Sequence, residues 1–244
     1  MRFFLLCSCF SIALAAKLPS SIQKCHRNQP DLPQCVARAI EASFETFKNG
    51  NKELGLPQSE PYFVKEINLV SDSSKQFSSR IKFVNVTVHG TTNNIHVTNV
   101  KINLGTDCNW IVDTRTPQAT MEGDYEMEAT ILFPIKAHGK FNSTMVDYTD
   151  RHTIKCEFFE KNGKKYMKLN SYTMDLRPSR VIYYFQDIFP TNRKIEADIL
   201  NTMNENSLDI FKEIKPSFDA TFSKIYMDGM NIVLSQIPFD DMFL

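Results

Sequence analysis

The sequence predicts an α+β protein in which a long, highly curved antiparallel sheet wraps around a long C-terminal helix to make an elongated tube. Three observations predict it. From Met121 to Phe141 every odd position is apolar or small, while the even positions are mostly charged or polar. That is the period-two pattern of a strand with one dry and one wet face, and at about 3.3 Å per residue it spans roughly 70 Å. From Arg193 to Gln236 apolar residues recur mostly at steps of three and four, which predicts a helix of roughly 63 Å. No second sheet is encoded to cover the dry face, so the helix of matching length must cover it.

The elements follow in order. Met1-Arg2, the apolar run Phe3 to Ala15 and the small-residue pattern Ala13-Leu14-Ala15-Ala16 predict a secretory signal peptide over 1–16, too short for a membrane anchor. Residues 17–244 are expected to form a single ligand-binding domain with no stable membrane insertion. Val36, Ala39, Ile40, Phe44 and Phe47 recur at helical spacing and Asn49-Gly50 offers a stop, giving a first helix of about four turns. An irregular connector containing Gly55, Pro57 and Pro61 leads to a β region over 62–176. Within it, Val84, Val86 and Val88 alternate, and the phase shifts between Ile95/Val97 and Ile102/Leu104, which predicts a bulge.

The Met121–Phe141 strand comes next, then a strand over 143–159. The turn Lys161-Asn162-Gly163-Lys164 and a last strand from Tyr166 to Leu176 complete the meander. Val181 to Phe189 is apolar enough for a short buried helix ended by Pro190, and Pro216 is expected to kink or interrupt the long helix.

Composition narrows the functional classes. Twenty-eight basic residues balance 28 acidic ones, for a net charge of 0. Nucleic acid and anionic membranes need a clustered basic excess, so neither is expected as the main partner. Beyond the leader, four cysteines remain, Cys25, Cys35, Cys108 and Cys156, an even count that fits two disulfides in a secreted chain. Three pairings are open. The short loop containing Pro30, Asp31 and Pro33 favours Cys25–Cys35, which leaves Cys108 to Cys156. No Cys-x-x-Cys or neighbouring His spacing supports a metal site. Asn85-Val-Thr and Asn142-Ser-Thr are candidate N-glycosylation sites at Asn85 and Asn142.

No nucleophile elbow, zinc-protease helix, phosphate loop or dinucleotide fingerprint is present. The chain is read as neither an enzyme nor a cofactor binder. The five histidines, His26, His89, His96, His138 and His152, fall in loops or on wet strand positions and are expected to be solvated. On the dry face Gly123, Ala129, Ala137 and Gly139 alternate with Tyr125, Met127, Phe133 and Phe141. The small residues either let the helix approach closely or leave a tunnel lined by aromatic and Met side chains.

The order of these parts resembles the takeout and juvenile-hormone-binding protein family of insects. The early pair Cys25/Cys35 is followed by Gly123-x-Tyr125, then Leu132-x-Pro134-Ile135, Gly139 and Phe141. The stretch Phe185-Gln-Asp-Ile-Phe to Asn201-Thr-Met-Asn204-Glu-Asn206 and a helix ending near Ile237-Pro238-Phe239 complete the likeness. The resemblance implies a tubular lipid-binding fold around an apolar tunnel and extracellular carriage of a small hydrophobic ligand, such as a juvenile-hormone-like terpenoid or a fatty acid. On that reading the ligand-lining residues are Tyr125, Met127, Ile131, Phe133 and Phe141 from the strand, Phe44 and Phe47 from the first helix, and Phe218 and Phe222 from the last. Two features depart from the family. Ala129 and Ala137 stand where glycine is frequent, and a Cys108–Cys156 bridge lies away from the hormone carriers' second bridge. The competing class is a secreted interaction protein that binds a membrane surface or receptor without a tunnel ligand.

Overall fold

The computed structural model describes residues 16–71, 78–130 and 134–244. The expected leader, apart from Ala16, and the candidate lining residues Ile131 and Phe133 lie outside these residues. The elements are α1 (Leu32–Phe47), β1 (Tyr62–Ser71), β2 (Ser78–His89), β3 (His96–Asn103), β4 (Asn109–Thr130), β5 (Pro134–Lys161), β6 (Lys164–Phe185), α2 (Arg193–Glu205), α3 (Ser207–Leu234) and α4 (Phe239–Met242). One antiparallel sheet runs β1-β2-β4-β5-β6, and β3 pairs with β4 end to end with β2. The sheet curls around α3, and the long C-terminal helix lies in its concavity as expected.

The expected single strand from Met121 to Phe141 is instead two strands meeting in a hairpin, with Thr130 opposite Pro134. The alternation survives the turn because the ladder pairs Met127 with Ala137 and Tyr125 with Gly139, odd residue against odd, so one face stays inward on both arms. The length was readable but the path was not: β4 has 22 residues and β5 has 28. The Asn162-Gly163 turn between β5 and β6 has φ of 53° and 72°, the left-handed pair a two-residue hairpin needs.

A crease crosses the three long strands. In β4 the buried positions are Trp110, Val112, Thr114 and Thr116, then Ala119, Met121 and Tyr125; in β5 they run to Met145, then resume at Tyr148; in β6 they pass from Leu176 to Val181. The parity flips at Pro117, Asp147 and Ser179, the residues skipped in the two ladders. Asp147 has φ 44° and its carboxylate takes a two-pronged hydrogen bond from Arg115 at 2.6 and 2.9 Å. Because one residue is passed over on every strand, the register is kept and the three strands change their inward face together.

Two further expectations are corrected. Val181 to Phe185 continues β6 rather than forming a helix: Val181, Tyr183 and Phe185 are buried while Ile182 and Tyr184 are exposed, an alternation masked by uniform hydrophobicity. Pro178 is accommodated because β6 is an edge strand. The long helical run breaks at Asn206 (φ −108°, ψ 26°), between α2 and α3, whereas Pro216 sits exposed inside an unbroken α3. Phe211, Ile214, Phe218 and Phe222 form the inward stripe of α3, and packing of that face offsets the one amide hydrogen bond the proline removes.

Disulfides Cys25–Cys35 and Cys108–Cys156 are both formed, with Cα separations of 5.9 and 5.1 Å. The first anchors the segment before α1 to its first turn. The second joins the start of β4 to β5. The N-terminal segment also pairs with residues 242–244: Leu244 N–H donates to the Cys25 carbonyl at 2.8 Å and Cys25 N–H to the Met242 carbonyl at 3.2 Å.

Candidate ligand-binding site

Along α3 the inward stripe continues past Phe222 through Ile225, Tyr226, Gly229 and Val233, still at helical spacing. Up to Phe222 the stripe is buried; beyond it these residues are only half-buried, although α1 packs across the same end of the tube. The space between is a cavity of about 450 Å³, within the ~300–1,000 Å³ of small-molecule sites. The α1 wall presents Val36, Ala39, Ile40, Phe44 and Phe47, and the far wall Val88 and Trp110. The segment 242–243 and Ile22 close the end.

Gly229 shapes this volume. A Cβ built on it meets nothing within 4 Å, so no close backbone approach demands glycine there. Glycine inside a helix costs about 1 kcal/mol relative to alanine. On the inward stripe, its missing side chain leaves room in the chamber.

The lining is apolar with a few neutral polar groups, among them Ser43, Ser59, Tyr62, Thr91, Thr92 and Tyr226. The 90–92 loop is fixed by Glu60, whose carboxylate accepts from Gly90 N–H at 2.8 and 3.0 Å and from the Thr92 hydroxyl at 3.1 Å. Burial, then the nearby Asp228 carboxylate, raises the Tyr62 phenol above its ordinary value. Burial also pushes Tyr226 well up, with Tyr148, Asp150 and Tyr62 adding to it. Both phenols therefore stay neutral and can donate.

A second void of about 30 Å³ lies deeper, bordered by Met121, Met145, Met174 and Phe218, and shares Val88, Thr91, Phe222 and Tyr226 with the main cavity. Behind Tyr226 lies a buried polar group. His152 accepts or donates at Nδ1 with the Tyr172 hydroxyl at 2.7 Å and lies near Thr114. Its expected solvation is thus overturned: on β5 beyond the crease it points inward, with 9% of its surface exposed. His26, His96 and His138 are exposed and His89 is half-buried. Among the described residues no cluster of three or more His, Cys, Asp or Glu side chains is disposed to hold a metal.

The structure sorts the candidate lining residues. Phe44, Phe47 and Phe222 line the main cavity and Phe218 the deeper void. Tyr125, Met127 and Phe141 border neither. They sit at the other end of the tube, where Phe83 and Phe141 pack at 4.1 Å between ring centres, Tyr125 meets Phe185 edge-on at 4.9 Å, and the Tyr125 hydroxyl donates to the Gln186 carbonyl at 2.8 Å. The glycines there serve backbone approach: a Cβ on Gly123 would lie 2.8 Å from the Val84 carbonyl, and one on Gly139 would lie 2.5 Å from that of Gln186. They admit the β2 backbone where its register shifts between Val84 and Thr87 and the chain after β6, not a helix or a tunnel. Trp110, Tyr226 and Gly229 were missed. The α3 stripe carries the signal for the last two, since a glycine on an apolar helical face marks a gap.

The profile of the haemolymph juvenile hormone binding protein family matches residues 3–244. The chain belongs to that family. Among solved structures, this family member resembles Takeout 1 of Epiphyas postvittana, with a TM-score of 0.80 at 18% identity over 91% of this chain and 99% of that one. That likeness establishes the shared fold. A lipopolysaccharide binding protein matches with a TM-score of 0.26 at 12% identity over 66% of this chain and 35% of the other, too low to carry any argument. Comparison with curated proteins finds no significant match to this family member.

Proposed function

We propose that this protein is an extracellular carrier that holds a small hydrophobic ligand, a terpenoid or acyl-chain lipid, in the cavity between α1 and α3. The observation that carries the reading is the 450 Å³ apolar chamber beside Gly229. Removing apolar surface from water there provides about 25 cal/mol per Å². Membership of a family named for juvenile hormone binding supports it. Two disulfides favour an oxidising compartment, in keeping with a cleaved leader over 1–16 and one ligand-binding domain over 17–244. Asn85 is exposed at the β2 bulge, open to glycosylation, whereas Asn142 is half-buried within β5. Phe44, Phe47 and Phe222 are the lining residues we assign first.

The test is native mass spectrometry of protein secreted from insect cells, followed by solvent extraction. A stoichiometric hydrophobic molecule released on denaturation supports the carrier. An empty protein that also fails to take up a fluorescent apolar probe refutes it and leaves a surface-binding role.

A further inference from the structure

The chemistry of the chamber wall restricts what it accepts. Among the described residues that line it there is no Lys, Arg or His, and the one charged side chain is the carboxylate of Asp228. Asp228 is also exposed to solvent, so it marks the rim, where it shares the wall with Tyr62. Lys224, one turn before it on α3, already pairs with Asp228 at 2.7 Å. At the inner end Lys215 is held by Asp175 and Asp219, and His152 is buried. The Trp110 indole N–H is buried in the wall without a partner; it can serve an acceptor oxygen but brings no charge.

Resting on the carrier reading, we propose that Asp228 acts as a charge filter: the chamber takes neutral ligands with a hydroxyl, ester or other acceptor oxygen and rejects the carboxylate of the same chain. A carboxylate entering tail-first leaves its head at the rim, where Asp228 already holds the ammonium of Lys224 and adds no attraction of its own. Entering head-first, it is stripped of water in a wall with no cation to receive it, a cost that neutral heads avoid. An apolar chain alone does not discriminate, since it buries equally in all three forms.

The experiment displaces the neutral fluorophore N-phenyl-1-naphthylamine from the purified full-length secreted protein at pH 7.5. The competitors are 1-dodecanol, methyl dodecanoate and dodecanoate, tested on wild type, Asp228→Asn and Asp228→Lys. The expected result is that the alcohol and ester displace the probe at least about tenfold more tightly than the carboxylate. That ratio should shrink in the order wild type, Asn, Lys, by about three- to tenfold in total. Asp228 is exposed on α3, so folding is checked simply by circular dichroism. Equal binding of dodecanoate by wild type, or a ratio unmoved by charge reversal, overturns the filter while the carrier stands. If the probe binds nowhere and no competitor acts, the carrier reading falls and takes the filter with it.

Discussion

Nε2 of His152 lies 3.8 Å from Oδ2 of Asp150, both side chains buried on the concave face of β5. Burial, then the Asp219 carboxylate, raises the Asp150 carboxyl from 3.8 to about 8, while Lys215 opposes. Burial lowers His152 from 6.5 to about 4, against the pull of Asp113. Asp150 keeps a proton that the unfolded chain releases, so its contribution to stability is complete below pH 3.8 and is lost as pH rises through about 8. His152 runs the other way: its contribution is present above pH 6.5 and lost as pH falls through about 4. The two slopes oppose between pH 4 and 6.5, and above 6.5 the loss from Asp150 remains. Asp219, also raised by burial, contributes a loss of the same sign as pH rises above its ordinary value. Asp150→Asn should gain stability relative to wild type by up to about 1.4 kcal/mol per pH unit across this window. Urea denaturation at several pH values between 4 and 8 checks it; a constant difference between the two proteins contradicts the assignment.

Gly229→Leu should fill the chamber from its α3 wall. Removing the helical glycine returns about 1 kcal/mol, and the new side chain enters open space, so the melting temperature should rise. Binding of an apolar probe should fall by at least about tenfold, because the Leu occupies volume the ligand needs. A thermally stabilised variant that binds normally would place the ligand elsewhere.

Phe222 stands between the two voids. Phe222→Ala should cost about 3–5 kcal/mol of stability and merge the chamber with the Met-lined space behind it. The readout is a shift in chain-length preference toward longer alcohols in the displacement assay. An unchanged preference would mean that the merged space stays closed to ligand.

The two disulfides should separate stability from binding. Cys108–Cys156 spans 48 residues of sequence and Cys25–Cys35 spans 10, so in the chain-entropy picture removing the first should cost about 1.4 kcal/mol more than removing the second. Cys25 lines the chamber and neither Cys108 nor Cys156 does. Paired Ser variants, followed by melting and probe binding, should show the larger stability loss at 108/156 and the larger affinity loss at 25/35.

The sheet-around-helix plan was legible because both periodicities are long and clean. What periodicity hides is a turn that preserves parity, as between β4 and β5, and a crease that flips it, as at Pro117, Asp147 and Ser179. His152 looked solvent-facing only because the flip at Asp147 is silent in sequence. Tyr125, Met127 and Phe141 share the apolar pattern of a ligand wall. Whether such a face packs or stays open depends on what lies opposite, and here Phe141 meets Phe83 and Tyr125 meets Phe185. Phe44, Phe47 and Phe222 have the same composition but face α1 and α3 across a gap.

The pairing of Cys25 with residues 242–244 sets an order of events. The chamber wall joins segments more than 200 residues apart in sequence, contacts that carry the highest loop-closure cost and therefore close late in folding. Met242 and Phe243 belong to that wall. On the carrier reading proposed above, the container is complete only when the two ends of the chain have joined, so a ligand is expected to enter a folded molecule rather than to serve as the template on which it folds.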